Sequence, residues 1–213
     1  MTTWNPSDLT ANITLSSGNL TATCTAAADN GVRATPSKTS GKYYVEFITG
    51  PTFAGGDTGV GIATSTANLG TIGLTASGGL CTFVSGSVYF NGTNQGISMG
   101  PIGGGTNVGL AVDLVNSAAW FRVNGGNWNA SGTANPATNT GGINIAALFP
   151  FNAVFLVFCS NSNGSSVSLG LSSFVYAPPS GFPPWDPVTI QFQFVAFSAP
   201  NATSWRKIDI VAY

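Results

Sequence analysis

The groups that could do acid–base chemistry in this chain are few and badly spaced for it. Glu46 is the sole glutamate, and the aspartates Asp8, Asp29, Asp57, Asp113, Asp186 and Asp209 lie far apart in the sequence. Glycoside hydrolysis uses two carboxyl groups about 5–10 Å apart, and no stretch here sets two of them at i, i+2 on one strand. Histidine is absent, so neither a Ser-His-Asp nor a Cys-His nucleophile can be assembled, and imidazole ligation of a metal is equally unavailable. Glu46 and Asp113 are better read as structural acceptors, taking hydrogen bonds from backbone or from Arg33 or Arg122. This inventory predicts a protein that is not an enzyme and carries no cofactor or metal.

Cys24, Cys81 and Cys159 form an odd set, which favours free thiols. Cys159 closes the run Phe155-Leu156-Val157-Phe158 and is expected to be buried as a small hydrophobe. An intersubunit disulfide through Cys24 or Cys81 stays open.

Charge narrows the function further. Only 6% of residues are Asp, Glu, Lys or Arg, against about 25% in ordinary soluble proteins. Ser, Thr, Asn and Gly must therefore wet the surface, which suits a protein packed beside copies of itself. Its six basic residues are scattered, so no cluster exists to displace counterions from phosphate, and nucleic acid is not expected as a partner. The longest apolar stretch, 146–159, is broken by Pro150 and Asn152 and is too short to cross a bilayer. The opening Met1-Thr2-Thr3-Trp4-Asn5-Pro6 shows no basic residue followed by an apolar run. No secretory signal is visible, and synthesis and retention in a cytoplasm are expected unless the chain leaves within a larger particle.

The elements that would hold these residues read as strands almost throughout. Short runs rich in β-branched and aromatic residues fall at 12–15, 20–24, 42–49, 58–63, 80–84, 87–90, 106–113, 118–123, 154–159 and 166–169. Ser17-Gly18, Ser85-Gly86, Asn91-Gly92, Asn116-Ser117 and Asn124-Gly125-Gly126 punctuate them as turns. The expected architecture is all-β, a two-sheet antiparallel sandwich over residues 1–186. The proline-dense 177–185 closes it, and the rigid stretch 178–187 is expected to point the chain away from the last strand. Beyond lies a C-terminal β-arm, 187–213. There Ile190, Phe192 and Phe194 alternate with Gln191 and Gln193, and Trp205 follows. Such a face needs a cover, which predicts an assembly or docking segment that pairs in trans.

Sandwiches present function on loops, and 53–57, 65–75 and 127–141 are the ligand-facing candidates. Within them Trp128, Asn127, Phe53 and Asp57 are the candidate ligand-binding residues. Trp128, in a polar Asn-Gly context after a hairpin, is placed to stack on a sugar or a partner.

Five segments in order resemble the SPRY domain, a concanavalin-A-like sandwich. Gly41-Lys42-Tyr43-Tyr44-Val45-Glu46-Phe47 is similar to its opening strand, and Gly59-Val60-Gly61-Ile62-Ala63 to the next. The best match is Asn107-Val108-Gly109-Leu110-Ala111-Val112-Asp113-Leu114, followed by Ala119-Trp120-Phe121-Arg122-Val123-Asn124-Gly125. Leu148-Phe149-Pro150 and the closing Pro178-Pro179-Ser180-Gly181-Phe182 complete the series. Where the family has "G-W-G", this chain has Gly78-Gly79-Leu80-Cys81. The opening, from Trp4-Asn5-Pro6 to Leu20-Thr21, resembles the lead-in of SPRY-like proteins carried by bacteriophages and prophages.

The resemblance implies a binding or structural module, with a virion component (head decoration or fibre, collar or tail fibre) as the first expectation. Its partners would be itself, as a homo-oligomer such as a trimer, and other virion proteins. It would be made in the host cytoplasm and carried in the virion, without membrane insertion. A receptor-binding adhesin for a host surface glycan or protein is the alternative, and an intracellular protein-interaction adaptor the third.

Overall fold

The computed structural model describes residues 1–151 and 153–186. In chain order its strands are β1 (Thr3–Leu9), β2 (Ile13–Ser16), β3 (Thr21–Cys24), β4 (Asn30–Thr35), β5 (Lys42–Thr49), β6 (Gly59–Ala63) and β7 (Gly79–Phe83). Then come β8 (Ser87–Phe90), β9 (Thr93–Ser98), β10 (Asn107–Asp113), β11 (Ala118–Val123), β12 (Ile143–Asn144), β13 (Phe155–Ser160) and β14 (Ser166–Gly170). They form two seven-stranded sheets, ordered β1-β4-β13-β6-β7-β8-β9 and β12-β11-β10-β5-β14-β3-β2. Every strand pairing is antiparallel. The expected two-sheet sandwich is what the chain forms.

Period-2 alternation sorts the side chains. Val32, Val60, Ile62, Leu80, Leu156 and Phe158 of the first sheet face Val45, Phe47, Val108, Leu110, Val112 and Phe121 of the second across the central core. The opposite faces are covered too, so β6, β7 and β10 are buried along their whole length. On the first sheet, Ala67 and Ile72 of the 64–78 loop lie over Cys81, Phe83, Val157 and Cys159. Residue 61 must be glycine here, because a Cβ would drive into the Leu80 carbonyl and the Cys81 backbone. On the second sheet, Phe174, Phe182 and Trp128 pack on Tyr44, Ala111 and Trp120.

The structure amends several expectations. Strands β1, β4, β9 and β12 lie where no strand was expected. Pro6 and Asp8 in β1, Arg33 in β4 and the polar Thr93-Asn94-Gln95-Gly96 of β9 break the apolar signal. The 65–75 loop, expected to face a ligand, instead roofs the first sheet. Residues 183–185 do not lead the chain away either. The Tyr44 N–H donates to the Pro183 carbonyl and the Trp185 N–H to the Tyr44 carbonyl, each at 2.8 Å. Trp185 is consequently buried in the core, against Tyr43 at 5.4 Å between ring centroids. Asp186 accepts from the Thr2 hydroxyl at 2.5 Å and from the Thr2 N–H. The arm residues Ile190, Phe192, Phe194 and Trp205 lie outside the described residues.

Cys24 and Cys81 are fully buried, as is Cys159. Neither sulfur can reach a second chain, so the intersubunit disulfide is discarded. We expect all three thiols to resist iodoacetamide in the native protein and to react fully in denaturant, with mass spectrometry reading the adducts. Rapid native labelling of Cys81 would show that the 64–78 roof does not close over it.

Candidate functional site

Glu46 points out of the core, on the face of β5 opposite Val45 and Phe47, and is nonetheless wholly buried. Its Oε1 accepts from the Tyr44 hydroxyl at 2.9 Å and from the Tyr176 N–H at 2.9 Å. Its Oε2 accepts from Asn107 Nδ2 at 2.7 Å and from the Val175 N–H at 2.8 Å. Four donors leave its lone pairs no room for a substrate proton. Arg122 stands one step away: its Nη2 donates to the Tyr44 hydroxyl at 2.8 Å and to the Ala177 carbonyl at 2.7 Å. Burial pushes the Tyr44 hydroxyl above its ordinary pKa, over the opposing pull of Arg122. The group therefore stays protonated and donates to Glu46.

Asp113 is the second buried acid. Its Oδ1 accepts from the Val115 and Asn116 N–H groups at 3.0 and 2.9 Å. Its Oδ2 takes Asn116 Nδ2 at 2.7 Å and Lys42 Nζ at 2.9 Å. Burial raises its pKa, but the Lys42 and Asn116 hydrogen bonds outweigh that, and the net shift is downward. The expected arginine partners are thus revised. Lys42 holds Asp113, and Arg122 reaches Glu46 only through Tyr44. Arg33 pairs with Asp8 at 2.8 Å and donates to the Thr64 and Ala67 carbonyls.

The four expected ligand-binding residues do not converge. Phe53 turns inward, packs on Phe158 at 6.5 Å between ring centroids and is buried. Asp57 stands apart, accepting from Asn161 Nδ2 at 2.9 Å. Trp128 is half-buried, with the Arg122 guanidinium over its ring at 4.4 Å and Tyr44 in a T-shaped contact at 6.2 Å between centroids. Asn127 is exposed and lines a recess of about 130 Å³ with Met99, Val123 and Ala130.

A larger open cleft of about 480 Å³ lies elsewhere, between the β10–β11 turn, the 139–142 loop and β12. Asn116, Ser117, Asn139 and Asn144 give it a polar, uncharged lining. Sequence reading took Asn116-Ser117 as turn chemistry alone. Its role in a cleft depends on a loop more than twenty residues away, whose approach leaves no local signal.

No protein-family model matches the sequence, and no curated protein matches it. Solved structures do match. The SPRY domain of human HERC1 superposes with a TM-score of 0.62 at 16% identity, over 78% of this chain and 96% of that one. The TRIM65 PSpry domain gives 0.55 at 16% identity, over 79% and 91%. A further human SPRY domain gives 0.57 at 15% identity, over 77% and 98%. The fold is a SPRY fold. In it, the segment resembling the SPRY opening is β5, the next is β6, and the long match is the β10–β11 hairpin. The closing Pro-Pro-Ser-Gly-Phe leads into residues 183–185, which pair with Tyr44 of β5.

Replacing Glu46 by Ala strands two backbone N–H groups and two side-chain donors. The expected loss is on the order of 3–5 kcal/mol, or roughly 10 °C in Tm by calorimetry. An unchanged Tm would show that the closing segment is held by packing alone. Asp113 supplies a pH signature. Its folded pKa lies below its unfolded value of about 3.9, so its contribution is complete above that value and fades as pH falls through the folded pKa. Asp113→Asn should flatten the acid limb of a stability-versus-pH curve.

Proposed function

We propose that this chain is a non-catalytic binding module that docks on protein neighbours, as a structural component of a phage-like particle. The observation that carries the non-catalytic part is the state of Glu46. The only glutamate accepts four hydrogen bonds from its own fold, and Asp113 is closed in the same way by Lys42 and Asn116. The binding part rests on the likeness to the SPRY domains of HERC1 and TRIM65.

The particle is favoured by composition. A surface of Ser, Thr, Asn and Gly, with 6% charged residues, lets copies pack closely without electrostatic repulsion. The phage-like lead-in from Trp4 to Thr21 points the same way. Residues 187–213 then serve as the attachment arm, with Ile190, Phe192 and Phe194 covered in trans by a second copy or a particle protein. A homotrimer is the simplest such assembly. Synthesis in the host cytoplasm and residence in the virion belong to this reading. A second reading, an intracellular adaptor, is favoured by the same SPRY likeness and differs in having no particle.

Mass spectrometry of purified particles from the source decides between them: a stoichiometric band of this chain is expected, and its absence overturns the virion reading. Deleting residues 187–213, while keeping Trp185 in the core and Asp186 on Thr2, should leave a folded monomer that no longer assembles or attaches. Loss of the cooperative melting transition in that variant would make the arm part of the core instead.

A further inference from the structure

The cleft beside β12 has its hydrogen-bonding directions set by the protein itself. Asn116 donates Nδ2 to Asp113 at 2.7 Å, which leaves its Oδ1 to accept. Asn144 takes the Ala146 N–H on Oδ1 at 2.9 Å, which leaves its Nδ2 to donate. These two bonds fix which way each amide is turned and leave Asn116 Oδ1 and Asn144 Nδ2 without a protein partner among the described residues. Asn139, exposed on a left-handed residue at φ 54, offers both groups.

The walls are pinned from behind. Trp120 Nε1 donates to the Thr140 carbonyl and Asn129 Nδ2 to the Gly141 carbonyl, both at 2.8 Å. The Ile145 N–H donates to the Ser117 carbonyl at 2.9 Å. Gly142 lies directly on the Trp120 indole, where a Cβ would come within 2.6 Å of the ring.

We infer that this cleft binds a neutral polyhydroxylated ligand of the pyranose class. A sugar hydroxyl both donates and accepts, matching the paired Asn116 acceptor and Asn144 donor. Among the described residues no charged side chain lines the cleft, and the neighbouring Lys42–Asp113 pair is closed on itself at 2.9 Å, so an ionic ligand gains no counter-charge from them. A purely apolar ligand would leave the amides desolvated and unpaired. An extended peptide would need a strand edge, and β12 offers two residues. The cleft's volume, about 480 Å³, lies within the range of small-molecule sites. This inference rests on the reading of the chain as a binding module and adds a ligand class to it.

Saturation-transfer NMR on the full chain tests it. The probes are the methyl glycosides of glucose, galactose, mannose and N-acetylglucosamine, with glucuronic and N-acetylneuraminic acids as charged comparators. Transfer to at least one neutral glycoside is expected, at least tenfold weaker in Asn144→Asp. That variant keeps the acceptor for the Ala146 N–H while replacing the free donor with a negative charge. Gln95→Ala, on β9 of the other sheet, should leave binding unchanged. Silence with every neutral glycoside, equal binding by Asn144→Asp, or preference for the charged sugars overturns the site. A chain that is stoichiometric in particles yet silent to all four glycosides sinks the cleft alone and leaves the structural role standing.

Discussion

Burying a carboxylate costs several kcal/mol unless donors meet it, and four meet Glu46. Two are backbone N–H groups of residues 175 and 176, contributed by the segment that closes the domain. Satisfying the charge and fastening that segment are therefore one event. Once fastened, the segment brings Phe174 against Tyr44 at 4.8 Å and Phe182 against Trp120 at 6.0 Å between centroids. It continues into the core with Trp185 and ends on Thr2 through Asp186. The sequence reading of Glu46 as a structural acceptor is what the fold uses, and Asp186 then ties the end of the described chain to Thr2.

The same economy of charge explains the layered build. A sandwich with one solvated face per sheet normally alternates apolar with charged residues. Here the middle strands are buried on both faces, and loops supply the second cover. Covering a sheet with loops demands small residues beneath them. Gly31 of β4 and Gly79 of β7 meet that demand, since side chains there would strike the Leu69 carbonyl and Ile72 of the covering loop. The adjoining Cys81 and Cys159 are thereby sealed beneath the loop, where burial pushes the Cys81 thiol well above its ordinary pKa. Such a thiol is inert, as its packing role requires.

Legibility followed locality. β5, β8 and β11 carry unbroken β-propensity between clear turns, and their boundaries agree with the sequence reading to the residue. β4 was opaque because Arg33 sits at its centre. The strand exists because Asp8, 25 residues earlier but on the neighbouring β1, and two carbonyls satisfy that guanidinium. Phe53 illustrates the converse error. An aromatic in a Gly-rich loop looks solvent-facing, yet this loop is short and folds its ring onto Phe158. Trp128 was correctly placed after a hairpin, but its partnership with Arg122 and Tyr44 is long-range and carries no sequence signal. The amide cleft is of the same kind, since its walls come from three separate stretches.

The sheet edges bear on how copies could meet. Among the described residues, each outer strand is blunted in its own way. β1 carries Pro6, Asp8 and a break in register. β9 shifts register against β8 and takes Gly96 into the left-handed region at φ 69. β12 has two residues and β2 has four. Short, bulged or proline-bearing edges discourage strand addition by another chain, and in a protein with so little charge they must do so without lysine. Direct edge-to-edge pairing of these sandwiches is thus disfavoured by their own geometry. Any contact between copies would therefore fall on the loop-covered faces rather than on the described sheet edges.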